Sequence, residues 1–150
     1  SYEGLQDLLT LPDSHYENSV VLIDDQQLHL KGNYLEAINR LYTVIAHHKK
    51  CTIFLMLQNL FSDDSRLKTL YKNTSYIAVF ASRQATQLLI SLQRMFFVGS
   101  HGLLNAVAEH AFKYHNYLLL DMITQSPYPI KTGVLSDGNS FAYMNVCLLF

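Results

Sequence analysis

Short, wholly apolar runs alternate along this chain with longer stretches in which apolar residues recur every three or four positions. Val20-Val21-Leu22-Ile23 and Ile53-Phe54-Leu55-Met56-Leu57 are runs of strand length, and each ends in polar groups, Asp24-Asp25 and Gln58-Asn59. Tyr76-Ile77-Ala78-Val79-Phe80 and Tyr117-Leu118-Leu119-Leu120 are two more, the last ending in Asp121. Continuous apolar runs of this length are typical of parallel strands covered on both faces. The pattern predicts strands over 19–24, 51–57, 75–80 and 117–121. Between them, helical spacing of Tyr34, Leu35, Ile38, Leu41, Tyr42 and Ile45 predicts a helix over 34–48, entered after the Gly32-Asn33 break. Leu88, Leu89, Leu92, Met95 and Phe96 predict another over 84–96, and a third follows over 102–114. Residues 1–18, with Gly4, Pro12 and a polar stretch from Asp13 to Asn18, read as loop, as does Ser62 to Arg66. Pro127 and Pro129 mark a loop before a short edge strand over 132–135. Alternation of strand and helix predicts one α/β domain over 1–150, layered, with a mainly parallel sheet.

Composition changes that picture in one respect. A chain of 150 residues can bury a core, but only 15% of its residues are charged, against roughly 25% in an average soluble protein. So polar-poor a surface implies cover from a partner or from the rest of a larger domain. The net charge of −1 provides no global field toward nucleic acid or membrane. Any DNA contact must come from a local patch or from a ring of subunits. No apolar run reaches the roughly 20 residues of a membrane span, and no targeting segment opens the chain. Cys51 in a strand and Cys147 in an apolar tail read as reduced thiols of an intracellular protein.

Ligands of open α/β sheets bind at the carboxyl ends of the strands. Two strands that deliver acid, acid and amide to one rim suggest a nucleotide and metal site. In such a site one carboxylate, Asp24, holds Mg²⁺ through its water shell, and its neighbour Asp25 accepts a proton from the attacking water. Gln58 follows an apolar strand, where an amide is costly to bury without partners; beside the γ-phosphate it would orient water. Alone, the acid pair also fits a solvated turn and Gln58 a turn amide. Arg66 and Arg83 each lie in a polar break beside a strand, placed either for a phosphate or for plain solvation. His47-His48 closes a helix, where its dipole favours positive charge. The seven histidines form no zinc pattern, and Asp121 reads as a structural strand-end acid. There is no Gly-x-x-x-x-Gly-Lys-Ser/Thr, hence no backbone cradle for phosphates; such a loop would have to precede residue 1.

Six blocks in collinear order carry a family resemblance over roughly residues 3–135. They are Glu3-Gly4-Leu5-Gln6-Asp7, Val20 to Asp25, His47-His48-Lys49-Lys50, Leu57 to Phe61, Tyr76 to Gln84 and Asn116 to Asp121. Together they resemble the DNA-packaging ATPases of the FtsK–HerA branch of P-loop proteins, most closely those of Polinton/Maverick elements and adintovirus-like viruses. The resemblance implies the Walker B and sensor half of a three-layer P-loop sandwich, without its P-loop strand and helix. It implies ATP and Mg²⁺ as cofactors, Asp24 as the magnesium-site acid, Asp25 as the catalytic acid, Gln58 as the sensor amide and Arg83 as a family arginine. Ala81-Ser82 and Gln84 replace the Asn-Pro and Asp that flank that arginine in the family. Implied partners are double-stranded DNA, a viral capsid or portal, and further copies of the chain in a ring; the implied source is a virus or transposon. Two other readings stand beside it: an inactive scaffold or decayed mobile-element remnant, and a receiver-type signalling domain. The second needs a phospho-accepting Asp where this chain has Gln58-Asn59.

Overall fold

Val20–Asp24 (β1) and Thr52–Met56 (β2) form a parallel pair, in register from Val20 opposite Thr52 to Asp24 opposite Met56. A computed structural model describes residues 5–24, 32–57, 65–99, 102–114, 117–123, 128–133 and 141–143. The chain divides into two compact units, Ser1–Thr74 and Ser75–Phe150.

In the first unit the described part of the passage from β1 to β2 is mostly helical. It comprises α2 (Gly32–Arg40), a π-helical turn (Leu41–Ile45) and α3 (Ala46–His48), as the spacing over 34–48 predicts. The Ala46 N–H donates to the Leu41 carbonyl, and α-type bonding resumes with Lys49 N to Ile45 O at 2.9 Å. Leu35, Ile38, Leu41, Tyr42 and Ile45 are buried. α1 (Leu5–Leu9) and α4 (Ser65–Lys72) lie against α2. α1 falls where the sequence reads as loop, and α4 begins within the Ser62–Arg66 stretch read as loop; each is short, and α4 buries only Leu70 and Tyr71 among its described side chains. A single 3₁₀ turn, Asp13–Tyr16, leads toward β1, and the Tyr16 hydroxyl donates to the Leu8 carbonyl. The two strands are tied together at their start. Asn18 N donates to Lys49 O and Thr52 N to Ser19 O, both at 3.0 Å, and the Ser19 hydroxyl reaches Cys51 Sγ at 3.3 Å. Asn18 and Lys50, each just ahead of a strand, take positive φ of 52° and 50°.

Among the described residues the second unit has four strands: β3 (Tyr76–Phe80), β4 (Tyr117–Asp121), β5 (Ile130–Thr132) and β6 (Phe141–Tyr143). They lie in that order, every neighbour antiparallel. This corrects the expectation that all four predicted strands run parallel in one sheet. Two helices, α5 (Ala85–Phe96) and α6 (Leu103–Tyr114), intervene between β3 and β4. Helices joined by a short turn run antiparallel, so two passages return the chain to the end it left, and β4 reverses. Between the two helices Gly99 and Gly102 take positive φ of 89° and 76°. The Gln93 side-chain oxygen accepts from Leu104 N at 3.0 Å, satisfying a donor that the first turn of α6 leaves open. Ile77, Val79, Leu118, Leu120 and Ile130 form one core with Leu89, Leu92, Leu104, Val107, Ala108 and Ala111. The short strand after the prolines is Ile130–Thr132 instead of 132–135, since Ile130 pairs with Leu120 on the core face. Residues 134 and 135 lie outside the described set.

Candidate functional site

Asp24 ends β1 beside Met56, the last residue of β2, so the carboxyl ends of the parallel pair share one edge. Along β1 Val20, Leu22 and Asp24 are exposed while Val21 and Ile23 are buried. Residues directly paired across two strands project to the same face. Asp24 therefore stands on the face that also carries Thr52, Phe54 and Met56. That edge joins a carboxylate to solvent with apolar side chains behind it. Asp25 and Gln58, the proposed catalytic acid and sensor amide, lie outside the described residues.

Arg83 is exposed in the turn between β3 and α5, in the second unit. Arg66 sits in the first turn of α4, a helix where the sequence predicts a loop. His47 and His48 close α3 and are exposed. Cys51 is a buried free thiol, as expected for a core cysteine, and Cys147 lies outside the described residues. Asp121 is structural. It is buried, its Oδ2 accepts from Lys131 Nζ at 2.7 Å, and its Oδ1 accepts from Ile123 N at 3.3 Å. The ion pair joins β4 to β5 and supplies the partner a buried charge requires.

The exposed strand-end position of Asp24 fits an acid that holds magnesium through water. No group of three or more His, Cys, Asp or Glu residues among the described ones would hold an ion directly. ATP fits less well, because the sequence contains no phosphate-binding loop and supplies no lysine in that role.

The low charged fraction implies apolar surface that needs outside cover, but sequence reasoning did not place it on the open sheet faces. Continuous apolar runs predict cover on both sides, yet Val20 is 69% exposed, Leu22 63%, Phe54 53% and Phe80 64%. In the second unit Tyr76, Ala78 and Phe80 of β3 are exposed, with Tyr117 and Leu119 of β4 half-buried beside them. The available signal was the set of aromatics at alternate positions 76, 80 and 117, two of them tyrosines with a polar tip suited to a wet surface. No helix among the described residues is long and apolar enough to cross a membrane. Comparison with protein-family models, with curated proteins and with solved structures finds no match to this chain.

Proposed function

We propose that this chain carries the acid-and-sensor half of a nucleotide-hydrolysing motor, of the kind that drives double-stranded DNA into a capsid. The observation that supports this most is the parallel, in-register pairing of β1 and β2, with Asp24 at their shared carboxyl edge. Gln58, two residues beyond Met56 in the sequence, has the same parity as Met56. On this reading bound ATP supplies the phosphoryl group and Mg²⁺ its charge neutralisation. Asp24 holds the ion's water shell, Asp25 accepts the proton of the attacking water, and Gln58 orients that water. Arg83 is assigned to a phosphate, on its own or a neighbouring copy in a ring. The β1–β2 pair would then belong to a three-layer P-loop sandwich completed by a phosphate-binding strand and helix. The antiparallel second unit does not contribute to that parallel core.

Phosphoryl transfer depends mostly on electrostatic positioning. The 150 residues alone should therefore show no Mg²⁺-dependent ATP hydrolysis, and robust turnover by them would remove the role given to the missing loop. In a protein joining these residues to a phosphate-binding loop, Asp24→Asn should lower single-turnover hydrolysis steeply while nucleotide affinity falls less. Asp25→Asn and Gln58→Ala should slow the chemical step with little change in affinity. Wild-type hydrolysis in all three variants would favour the alternative, a scaffold that keeps the fold without turnover.

A further inference from the structure

Hydrogen-bond parity decides which backbone groups of β3 point out of its sheet. Met122 N donates to Ser75 O at 2.9 Å and extends the β3–β4 register by one pair. Bonded pairs alternate with unbonded ones along an antiparallel ladder, so Ser75, Ile77 and Val79 bond to β4. Asp121 N donates to Pro129 O at 2.8 Å, which turns the alternate residues of β4 toward β5 and agrees with that assignment. The N–H and C=O groups of Tyr76, Ala78 and Phe80 therefore face away from β4. β3 ends the strand order β3-β4-β5-β6, and among the described residues none hydrogen-bonds to those outward groups.

Exposed sheet edges are protected by shortness, charge, proline or a bulge. β6, at the opposite end, is three residues long. β3 has five residues and none of these devices: it carries no charge and no proline, and it pairs residue for residue with β4. Its order is also nearly its own reverse. Tyr76-Ile77-Ala78-Val79-Phe80 reads aromatic, β-branched, alanine, β-branched, aromatic in either direction. A contact about a two-fold axis needs that property, because the strand must meet itself. An antiparallel ladder forms only where outward-bonding residues oppose one another. Centring the axis on Ala78 pairs all three of them, Ala78 with the second copy's Ala78 and each Tyr76 with the other copy's Phe80. On the core face Ile77 then meets the second copy's Val79. On the open face Phe80, whose ring centroid is 6.1 Å from that of Tyr117, gains the second copy's Tyr76 on its other side. No like charges meet, since Asp121 beside Tyr76 is neutralised by Lys131.

We infer that β3 pairs antiparallel with β3 of a second copy of this chain, on a two-fold axis through Ala78, and joins the two four-stranded sheets into one. The reversible order of the strand selects a second copy as the occupant, since an unlike partner strand would gain nothing from it. Such a contact also provides cover for a chain with only 15% charged residues. It closes on itself, unlike the head-to-tail contact of a ring, and it uses no residue assigned to nucleotide chemistry.

The test is sedimentation velocity on the 150-residue chain from about 1 to 200 µM, the affinity range of a small interface. A monomer–dimer equilibrium should appear. Ala78 is exposed, so a charge there is tolerated in the monomer but meets its own copy in the dimer. Ala78→Lys and Ala78→Glu should each weaken dimerisation by about tenfold or more. An equimolar mixture of the two should dimerise within about threefold of wild type, because Lys then faces Glu. Leu22→Lys, on the open face of the first unit, should leave the dimer intact. Circular dichroism distinguishes lost pairing from lost folding. Amide exchange of the wild-type chain needs no substitution: Tyr76, Ala78 and Phe80 should exchange quickly in dilute protein and slowly in concentrated protein, with Ile77 and Val79 slow in both. A chain that stays monomeric, an undiminished dimer in folded Ala78→Lys, a monomeric mixture, loss of the dimer in Leu22→Lys, or concentration-independent exchange at Ala78 would overturn the inference.

Discussion

Each half of the chain has two five-residue strands with a helical passage between them, yet one pair is parallel and the other antiparallel. The difference lies in the number of helical passages. Between β1 and β2 the described residues form one continuous helical run, from Gly32 to His48, and the strand after it repeats the direction of the one before. Between β3 and β4 there are two helices, and the direction reverses. The consequences reach the polar groups. The parallel pair ends in an acid open to solvent, Asp24, whereas the antiparallel sheet buries Asp121 and neutralises it from the adjacent strand. One half thus presents a free carboxylate at a strand end, and the other uses its strand-end carboxylate as internal support.

Alkaline pH should separate the halves most. Burial pushes the Tyr42 and Tyr71 hydroxyls from 10.0 up to about 12, and both residues belong to the first unit. The unfolded chain ionises them from pH 10 while the folded chain keeps them protonated. Stability is therefore full below pH 10 and declines as pH rises toward 12, by about 3 kcal/mol per tyrosine. Urea unfolding at pH 9 and 11.5 should show about 2 kcal/mol of that loss per tyrosine, and Tyr42→Phe should remove about half of the total. A variant with the full wild-type loss would mean that burial of Tyr42 is not its source.

Cavities should act locally. Ile38→Ala in the first unit and Leu120→Ala in the second each empty a side chain with no exposed surface, at a cost of about 2–5 kcal/mol. Amide exchange should accelerate mainly in the half that carries the substitution. Equal acceleration in both halves would show that they open as one cooperative body.

The ion pairs should produce the smallest effects, and unequal ones. Arg40 holds Asp13 at 2.9 Å with both side chains about half exposed, so Arg40→Ala should cost about 0.5 kcal/mol. Asp121→Asn removes a charge that is buried beside a partner only partly exposed, and should cost about 2 kcal/mol. Thermal melts of the two variants check the order. An equal shift would mean that burial of Asp121 confers no advantage.

Strand and helix positions were largely legible in the sequence because their patterns are local. Runs such as Val20 to Ile23 and the spacing of Leu35, Ile38, Leu41 and Ile45 need no knowledge of distant residues. Strand direction is not local in that sense. The two helices between β3 and β4 were both visible, but the reversal they impose emerges only when passages are counted. The open faces were misread because an apolar run shows what a strand is able to bury, and Leu22 and Phe54 are not buried. α4 was hidden by its polar composition, with Leu70 and Tyr71 as its buried anchors. Of the candidate site, the strand-end position of Asp24 follows from its run, while Asp25 and Gln58 lie outside the described residues.

The π-helical turn at Leu41–Ile45 bears on which length changes this fold will accept. An i→i+5 bond encloses one residue more than an i→i+4 bond, so the helix carries a surplus residue at this turn. Val44, on its exposed side, contributes little to the core. Deleting it would let the turn close as ordinary α-helix, with Leu35 and Ile38 on one side and Ala46 to His48 on the other still joined without a break. The same deletion within β1 or β2 would shift the alternation by one residue and exchange the buried and exposed faces of everything beyond it. The first unit thus has one point in its helix where a codon can be lost, and two strands where none can.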